Sequence, residues 1–194
     1  MKRKDRARQI IVYTVYILFF TILQVTFSQN LSFLGQVADF MLVIVVLSGY
    51  FFGSTDGMII GASVGFLRDY FSGSTIGIGI LIFMYIGVFS STLFRQRFHK
   101  RVSLAFLQIV VVTFIYKFAG HTFFFIRQLF MERSNSYLSQ TSIWLYSILP
   151  QIGVNLLAAV PMILLLYFAG PYKKDNVHQK NSDMYEREFS WQIK

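Results

Sequence analysis

Six polar or charged side chains lie inside or at the ends of apolar stretches, where an unpaired charge in a membrane is costly. These residues are Gln24, Asp39, Arg68, Asp69, Lys117 and His121. Lys117 and His121 are four residues apart, which places both on one face of a helix. Lys117 falls near the middle of its apolar stretch and needs a partner, for which Asp39 and Asp69 are the candidates. The sequence predicts that one of these aspartates pairs with Lys117 or with Arg68.

A plainer interpretation of these residues stays open. Asp39 and Asp69 can simply cap helices at the membrane interface. Gln24 can be an interfacial glutamine, because it comes late in the first apolar stretch. Under this interpretation the polar residues orient helices and make no contact of functional importance.

The sequence contains no constellation that indicates catalysis. Its three histidines, at positions 99, 121 and 178, lack a second histidine at metal-ligand spacing. No phosphate-binding glycine loop with a lysine occurs, and the chain has no cysteine to serve as a thiolate ligand or nucleophile. The sequence therefore predicts no catalytic, cofactor-binding or metal-binding residue and a protein that is not an enzyme.

A glycine face is the most specific local pattern in the chain. Gly57, Gly61 and Gly65 recur every four residues, so they stack along one side of a helix. In water each would weaken a helix by about 1 kcal/mol relative to alanine, whereas in a membrane they let a second helix approach closely. The pattern predicts a helix-packing face, and the second helix can belong either to this chain or to a partner.

Composition places these elements in a membrane. Hydrophobic residues make up 55% of the 194 residues, more than the core of a soluble domain of this length can enclose. The formal net charge is +9, but the basic residues flank the apolar runs instead of lining one face, which argues against nucleic-acid binding. The sequence therefore predicts an all-α integral membrane protein with six transmembrane helices.

The predicted organisation is a basic N-terminus of residues 1–9, a membrane domain of residues 10–170 and a polar tail of residues 171–194. The first apolar run is expected to be a retained helix, because it is longer than a signal-peptide core and no small-residue cleavage pattern follows it. The third helix is expected to be capped by Thr55 or Asp56. The six predicted spans are residues 10–27, 37–52, 57–71, 75–94, 102–126 and 143–169.

The distribution of basic residues predicts the orientation of the chain. If the N-terminus is cytoplasmic, the cytoplasmic segments hold five, four and five Lys and Arg residues, against three on the other side. This bias predicts cytoplasmic N- and C-termini. The loop of residues 95–101 contributes four of these residues, Arg95, Arg97, Lys100 and Arg101. Such a cluster usually fixes orientation and contacts anionic lipid, and contact with a cytoplasmic partner is a second use.

The spacing Gly61-x-x-x-Gly65-x-x-x-Asp69-x-x-Ser72-Gly73-x-x-x-Gly77 resembles the signature region of the rod shape-determining protein MreD family. Gln24 late in the first helix and Asp39 at the start of the second strengthen the resemblance, which covers about residues 10–170. One departure is Ala38, where the family commonly has a proline.

The resemblance implies a non-catalytic scaffold or regulator in the bacterial cytoplasmic (inner) membrane, within the rod complex, or elongasome. Its expected partners are the bitopic MreC and, through MreC, the actin-like MreB, the glycosyltransferase RodA and a penicillin-binding transpeptidase. Such a protein supports cell shape and lateral peptidoglycan synthesis for the cell wall. No cofactor is implied.

The alternative is the substrate-binding subunit of an energy-coupling-factor vitamin transporter, whose fold MreD-like proteins resemble. Those subunits normally present an Ala-x-x-x-Ala face on the first helix to the energising module. Here residues 13–24 of the first helix are bulky throughout, which argues against docking of that kind.

Overall fold

The computed structural model describes residues 3–30, 35–73, 77–95, 102–130 and 137–169. This part of the chain is helical, which confirms the predicted all-α class. The six helices are α1 (Arg3–Asn30), α2 (Phe40–Phe52), α3 (Ser54–Ser72), α4 (Ile78–Arg95), α5 (Val102–Phe130) and α6 (Tyr137–Ala169). Three stretches are long and apolar enough to cross a membrane: Arg8–Thr26, Val102–Thr122 and Tyr146–Phe168.

Several helix ends differ from the sequence prediction. Helix α1 begins at Arg3, so most of the basic N-terminus continues the first helix. The predicted capping of α3 by Thr55 or Asp56 is wrong, because α3 begins at Ser54 and its cap residue is Gly53. Gly53 has φ 112°, a conformation that favours glycine, and this single residue turns the chain from α2 into α3. The polar tail of residues 171–194 lies outside the described residues.

Helix α2 is the centre of the fold. All ten residues from Met41 to Tyr50 are buried, as expected for a helix that is apolar on every side. It contacts each of the other five helices. With 13 residues it is about 20 Å long, which is shorter than the roughly 30 Å hydrocarbon core of a bilayer. Its two ends therefore fall within the protein, where their backbone groups need partners.

The glycine face of α3 packs against α4 of the same chain. A β-carbon on Gly57 would lie 2.6 Å from the carbonyl oxygen of Gly87, and one on Gly65 would lie 2.5 Å from that of Gly79. Real β-carbons do not approach backbone atoms so closely, so only glycine allows this contact. Gly61 meets the backbone of Phe83 in the same way. Helix α4 thus occupies the face, and a partner helix cannot contact it without displacing α4.

We predict that Gly61→Ala lowers the thermal stability of the purified protein. The added methyl group overlaps the Phe83 carbonyl, and overpacking of this kind costs about 1–3 kcal/mol, more than the roughly 1 kcal/mol that alanine gains in helix propensity. Gly153→Ala in α6 is the matched control, because no atom lies within 4 Å of its β-carbon position. Equal melting temperatures for the two variants in detergent would contradict the close approach.

Candidate functional site

Asp39 joins two helices at the start of α2. Its Oδ1 accepts a hydrogen bond of 3.0 Å from the backbone amide of Leu42, which makes Asp39 the N-cap of α2. Its Oδ2 accepts a 2.7 Å hydrogen bond from Nη1 of Arg68 in α3, within a salt bridge. Among the pairings that the sequence leaves open, the structure contains this one. Capping and pairing, which the sequence presents as alternatives, are performed here by a single carboxylate.

Two other helices supply acceptors for the first amides of α2. Gln24 of α1 accepts from the Phe40 amide through Oε1 at 2.8 Å. Asn155 of α6 accepts from the Asp39 amide through Oδ1 at 2.9 Å. The first amides of a helix have no intrahelical partner, and when the helix start is buried they need side-chain acceptors. These contacts give Gln24 a defined role in holding α1 against α2.

A polar network continues from Asn155 into the bundle. Asn155 donates through Nδ2 to Oγ1 of Thr113 at 3.1 Å, and it accepts from Nε2 of Gln151 at 3.1 Å. Gln151 also donates to the carbonyl oxygen of Val37 at 2.8 Å. None of these three polar residues was predicted from the sequence as a site residue. The signal was present, because Gln151 and Asn155 are four residues apart inside an apolar stretch, as Lys117 and His121 are.

The guanidinium group of Arg68 packs against two aromatic rings. Its Cζ lies 5.1 Å from the ring centroid of Phe83 in α4 and 5.2 Å from that of Tyr116 in α5. Both distances are within the range of a cation–π interaction, which arginine makes readily because its guanidinium is planar and weakly hydrated. Arg68 therefore connects α3 to α2 through a carboxylate and to α4 and α5 through aromatic rings.

Asp69, the neighbour of Arg68, has a different environment. Its carboxylate is buried and accepts hydrogen bonds from the backbone amides of Gly77 at 2.8 Å and Gly79 at 3.0 Å. These amides are at the start of α4, so Asp69 fixes the connection between α3 and α4. Asp69 therefore satisfies backbone amides at a helix start, as the capping interpretation of this residue predicts.

Lys117 and His121 lie beside the same junction and line a cavity of about 540 Å³. Lys117 donates through Nζ to Oε1 of Gln36 at 3.2 Å. The cavity is lined by Gln24, Gly35, Gln36, Val37, Asp39, Leu42, Arg68, Tyr116, Lys117, Gly120, His121, Gln151 and Asn155. The structure thus brings together five of the six polar residues that the sequence singled out, and it places the sixth, Asp69, elsewhere.

Most of the basic loop of residues 95–101 lies outside the described residues. Arg95 ends α4, and Arg97, Lys100 and Arg101 lie outside the described residues. Their expected role in orientation and lipid contact stays a prediction.

One sequence pattern that is typical of hydrolases needs its structural context. Gly61-Ala-Ser-Val-Gly65 has the form Gly-x-Ser-x-Gly, a pattern that the prediction of no catalytic residue did not take into account. A nucleophile elbow requires a sharp turn from a strand into a helix. Ser63 instead lies in the interior of α3 and donates to the carbonyl oxygen of Ile59 at 2.9 Å. The pattern here belongs to the glycine face.

A family model described as rod shape-determining protein MreD matches residues 4–169. The chain belongs to the MreD family. The match runs from the first turn of α1 to the end of α6, so it includes the whole described helical assembly. It confirms the family that the sequence pattern resembled. Comparison with curated proteins and with solved structures finds no match.

Membership of the MreD family indicates the biological role of the chain. The family functions in rod shape determination and is not known for enzymatic activity. Together with the three long apolar stretches, it indicates a protein of the inner membrane. The likeness to energy-coupling-factor subunits is not shown by any solved structure.

We predict that Asp39 and Arg68 of this MreD-family chain are energetically coupled. Arg68→Met leaves the Asp39 carboxylate, only 13% exposed, without its cation, so the variant should unfold at a lower temperature. Asp39→Asn should also destabilise the protein. The double variant should lose less than the sum, with a coupling of about 1–3 kcal/mol in a double-mutant cycle.

The control cycle combines Asp39→Asn with Arg8→Met. Arg8 is exposed near the opposite end of α1, so its effect should simply add to that of Asp39→Asn. If the effects of Asp39→Asn and Arg68→Met on stability also simply add, the salt bridge contributes nothing to stability.

Proposed function

We propose that this protein is a non-catalytic inner-membrane scaffold of the rod complex that supports lateral peptidoglycan synthesis through MreC. The observation that carries the proposal is the MreD family match over residues 4–169. MreB, RodA and a penicillin-binding transpeptidase are the further components that the scaffold would serve. We also propose six membrane spans with both termini in the cytoplasm, which is supported by the positive-inside distribution of lysine and arginine.

The packing of the helices supports a scaffold. The close approach of α3 to α4 and the salt bridge from Asp39 to Arg68 connect the short central helices firmly. Because α4 occupies the glycine face, the transmembrane helix of MreC would have to bind another surface. The outer side of α1 is apolar and exposed, with Ile11 at 63% and Ile22 at 64% of full exposure, and such side chains contact lipid or another helix in a membrane.

We predict that depleting this protein in its own bacterium makes rod-shaped cells round and swollen. Lateral wall synthesis would lose its membrane scaffold while synthesis elsewhere continues. Microscopy of cell shape is the measurement, and re-expression of the unchanged chain should restore rods. Cells that keep their shape through complete depletion would refute the proposed role.

If the protein acts through MreC, the two proteins should bind each other in the membrane. After mild crosslinking, the tagged protein should co-purify MreC from detergent-solubilised membranes. Gly153→Ala should retain MreC at the level of the unchanged chain, because the substitution fits without contact. A clear shape phenotype without recovery of MreC would leave the role in shape and remove MreC as its partner.

The cavity of about 540 Å³ is the one observation that favours the alternative, a vitamin-binding transporter subunit. A subunit of that kind should be stabilised by its vitamin, because a ligand that binds only the folded state raises the melting temperature. Thermal stability measured against a panel of water-soluble vitamins separates the two functions. Loss of vitamin uptake on depletion, with normal cell shape, would establish the transporter.

A further inference from the structure

The described part of the cavity lining carries more positive than negative side chains. Among the lining residues that the structure describes, Asp39 is the one carboxylate, whereas Arg68 and Lys117 are cations. The salt bridge between Asp39 and Arg68 balances the first of these cations. Lys117 contributes a second cation to this lining, and its Nζ donates a hydrogen bond to Oε1 of Gln36. The electrostatic character of the cavity therefore favours an anion.

The cavity lies beside the ends of two apolar stretches. Gln24 is two residues from the end of Arg8–Thr26, and His121 is one residue from the end of Val102–Thr122. Because the second stretch ends before the predicted residue 126, Lys117 lies beyond its middle. Both stretches end on the same side of the bundle, because residues near the two ends line the same cavity. A bound molecule can therefore reach the site from water or from the headgroup layer.

The space is sufficient for a ligand and is not filled by the protein. A volume of about 540 Å³ falls within the roughly 300–1,000 Å³ of typical ligand pockets. Gly120, one helical turn from Lys117, has no atom within 4 Å of its β-carbon position. The amide of Gln36, which accepts from Lys117 through Oε1, also carries an Nε2 group that can donate hydrogen bonds. The site therefore combines a lysine ammonium group, an amide donor and open volume.

We propose that this cavity binds a small anionic group, a phosphate or carboxylate, with Lys117 as its main charge partner. Lysine suits this role because its ammonium is a point charge on a flexible stem that can turn from Gln36 toward a ligand. Arg68 remains with Asp39 and the aromatic rings and shapes one wall. The anion belongs either to the headgroup of an anionic phospholipid or to a soluble molecule. The proposal does not depend on the role in the rod complex.

Thermal stability of the purified full-length protein in a non-ionic detergent provides the first test. The probes are short-chain phosphatidylglycerol, short-chain phosphatidylcholine, inorganic phosphate and acetate. We expect saturable stabilisation by phosphatidylglycerol or by a soluble anion, and none by zwitterionic phosphatidylcholine. Phosphatidylglycerol acting alone assigns the site to a lipid headgroup, and phosphate or acetate acting alone assigns it to a soluble anion. No saturable stabilisation by any anion overturns the proposal.

Two variants test whether the bound anion occupies this cavity. Lys117→Gln removes the charge and should weaken binding about tenfold or more, the effect expected for loss of a charged hydrogen bond. Gly120→Leu fills open space in the cavity and should also weaken binding. It keeps the lysine charge, so the test stays decisive if Lys117→Gln folds poorly.

Each variant has a matched control. Arg8→Gln removes the same charge outside the cavity, and Gly153→Leu adds the same side chain at an exposed helical glycine that does not line it. Both controls should bind the anion as the unchanged chain does. Unaltered binding by Lys117→Gln and Gly120→Leu would place the anion elsewhere and overturn the proposal. Because binding is measured on isolated protein, failure here is distinguishable from failure of the cell-shape experiment.

Discussion

The start of α2 is a helix end that the other helices partly bury, and its backbone amides find acceptors inside the protein. A backbone group that is shielded from water and left unpaired costs free energy comparable to a lost hydrogen bond. Asp39, Gln24 and Asn155 supply the acceptors, and they belong to three different parts of the chain. The positions of α1 and α6 around α2 are therefore fixed by polar geometry as well as by apolar contact.

A second set of contacts holds the short helices together. Glycine brings the backbones of α3 and α4 into contact, and Asp69 fixes the connection between them. Arg68, one residue before Asp69, faces the other way and reaches Asp39 and two aromatic rings. Adjacent charged residues at one helix end thus stabilise two separate junctions. The cavity remains beside the first of them, where polar groups from five parts of the chain converge.

The sequence predicted the class of the fold and the importance of particular residues better than it predicted their partners. Periodicity along one chain identifies Gly57, Gly61 and Gly65 as a packing face, but it carries no information on which helix fills that face. The choice of Asp39 as the partner of Arg68 depends on how α2 and α3 cross, which local spacing does not determine. Asn155 was not predicted as a site residue, although it makes three hydrogen bonds at the centre of the network.

The acceptors at the start of α2 also define an order of biogenesis. The Asp39 amide is bonded to a side chain 116 positions later in the sequence, so its partner is synthesised long after α2 has left the ribosome. Gln24, by contrast, is 16 positions earlier than the residue it caps and is present from the start. The N-terminal helices can therefore associate early, while the central helix completes its hydrogen bonds only when the last helix arrives. The hydrogen bonds at the start of α2 are therefore complete only after α6 has been synthesised.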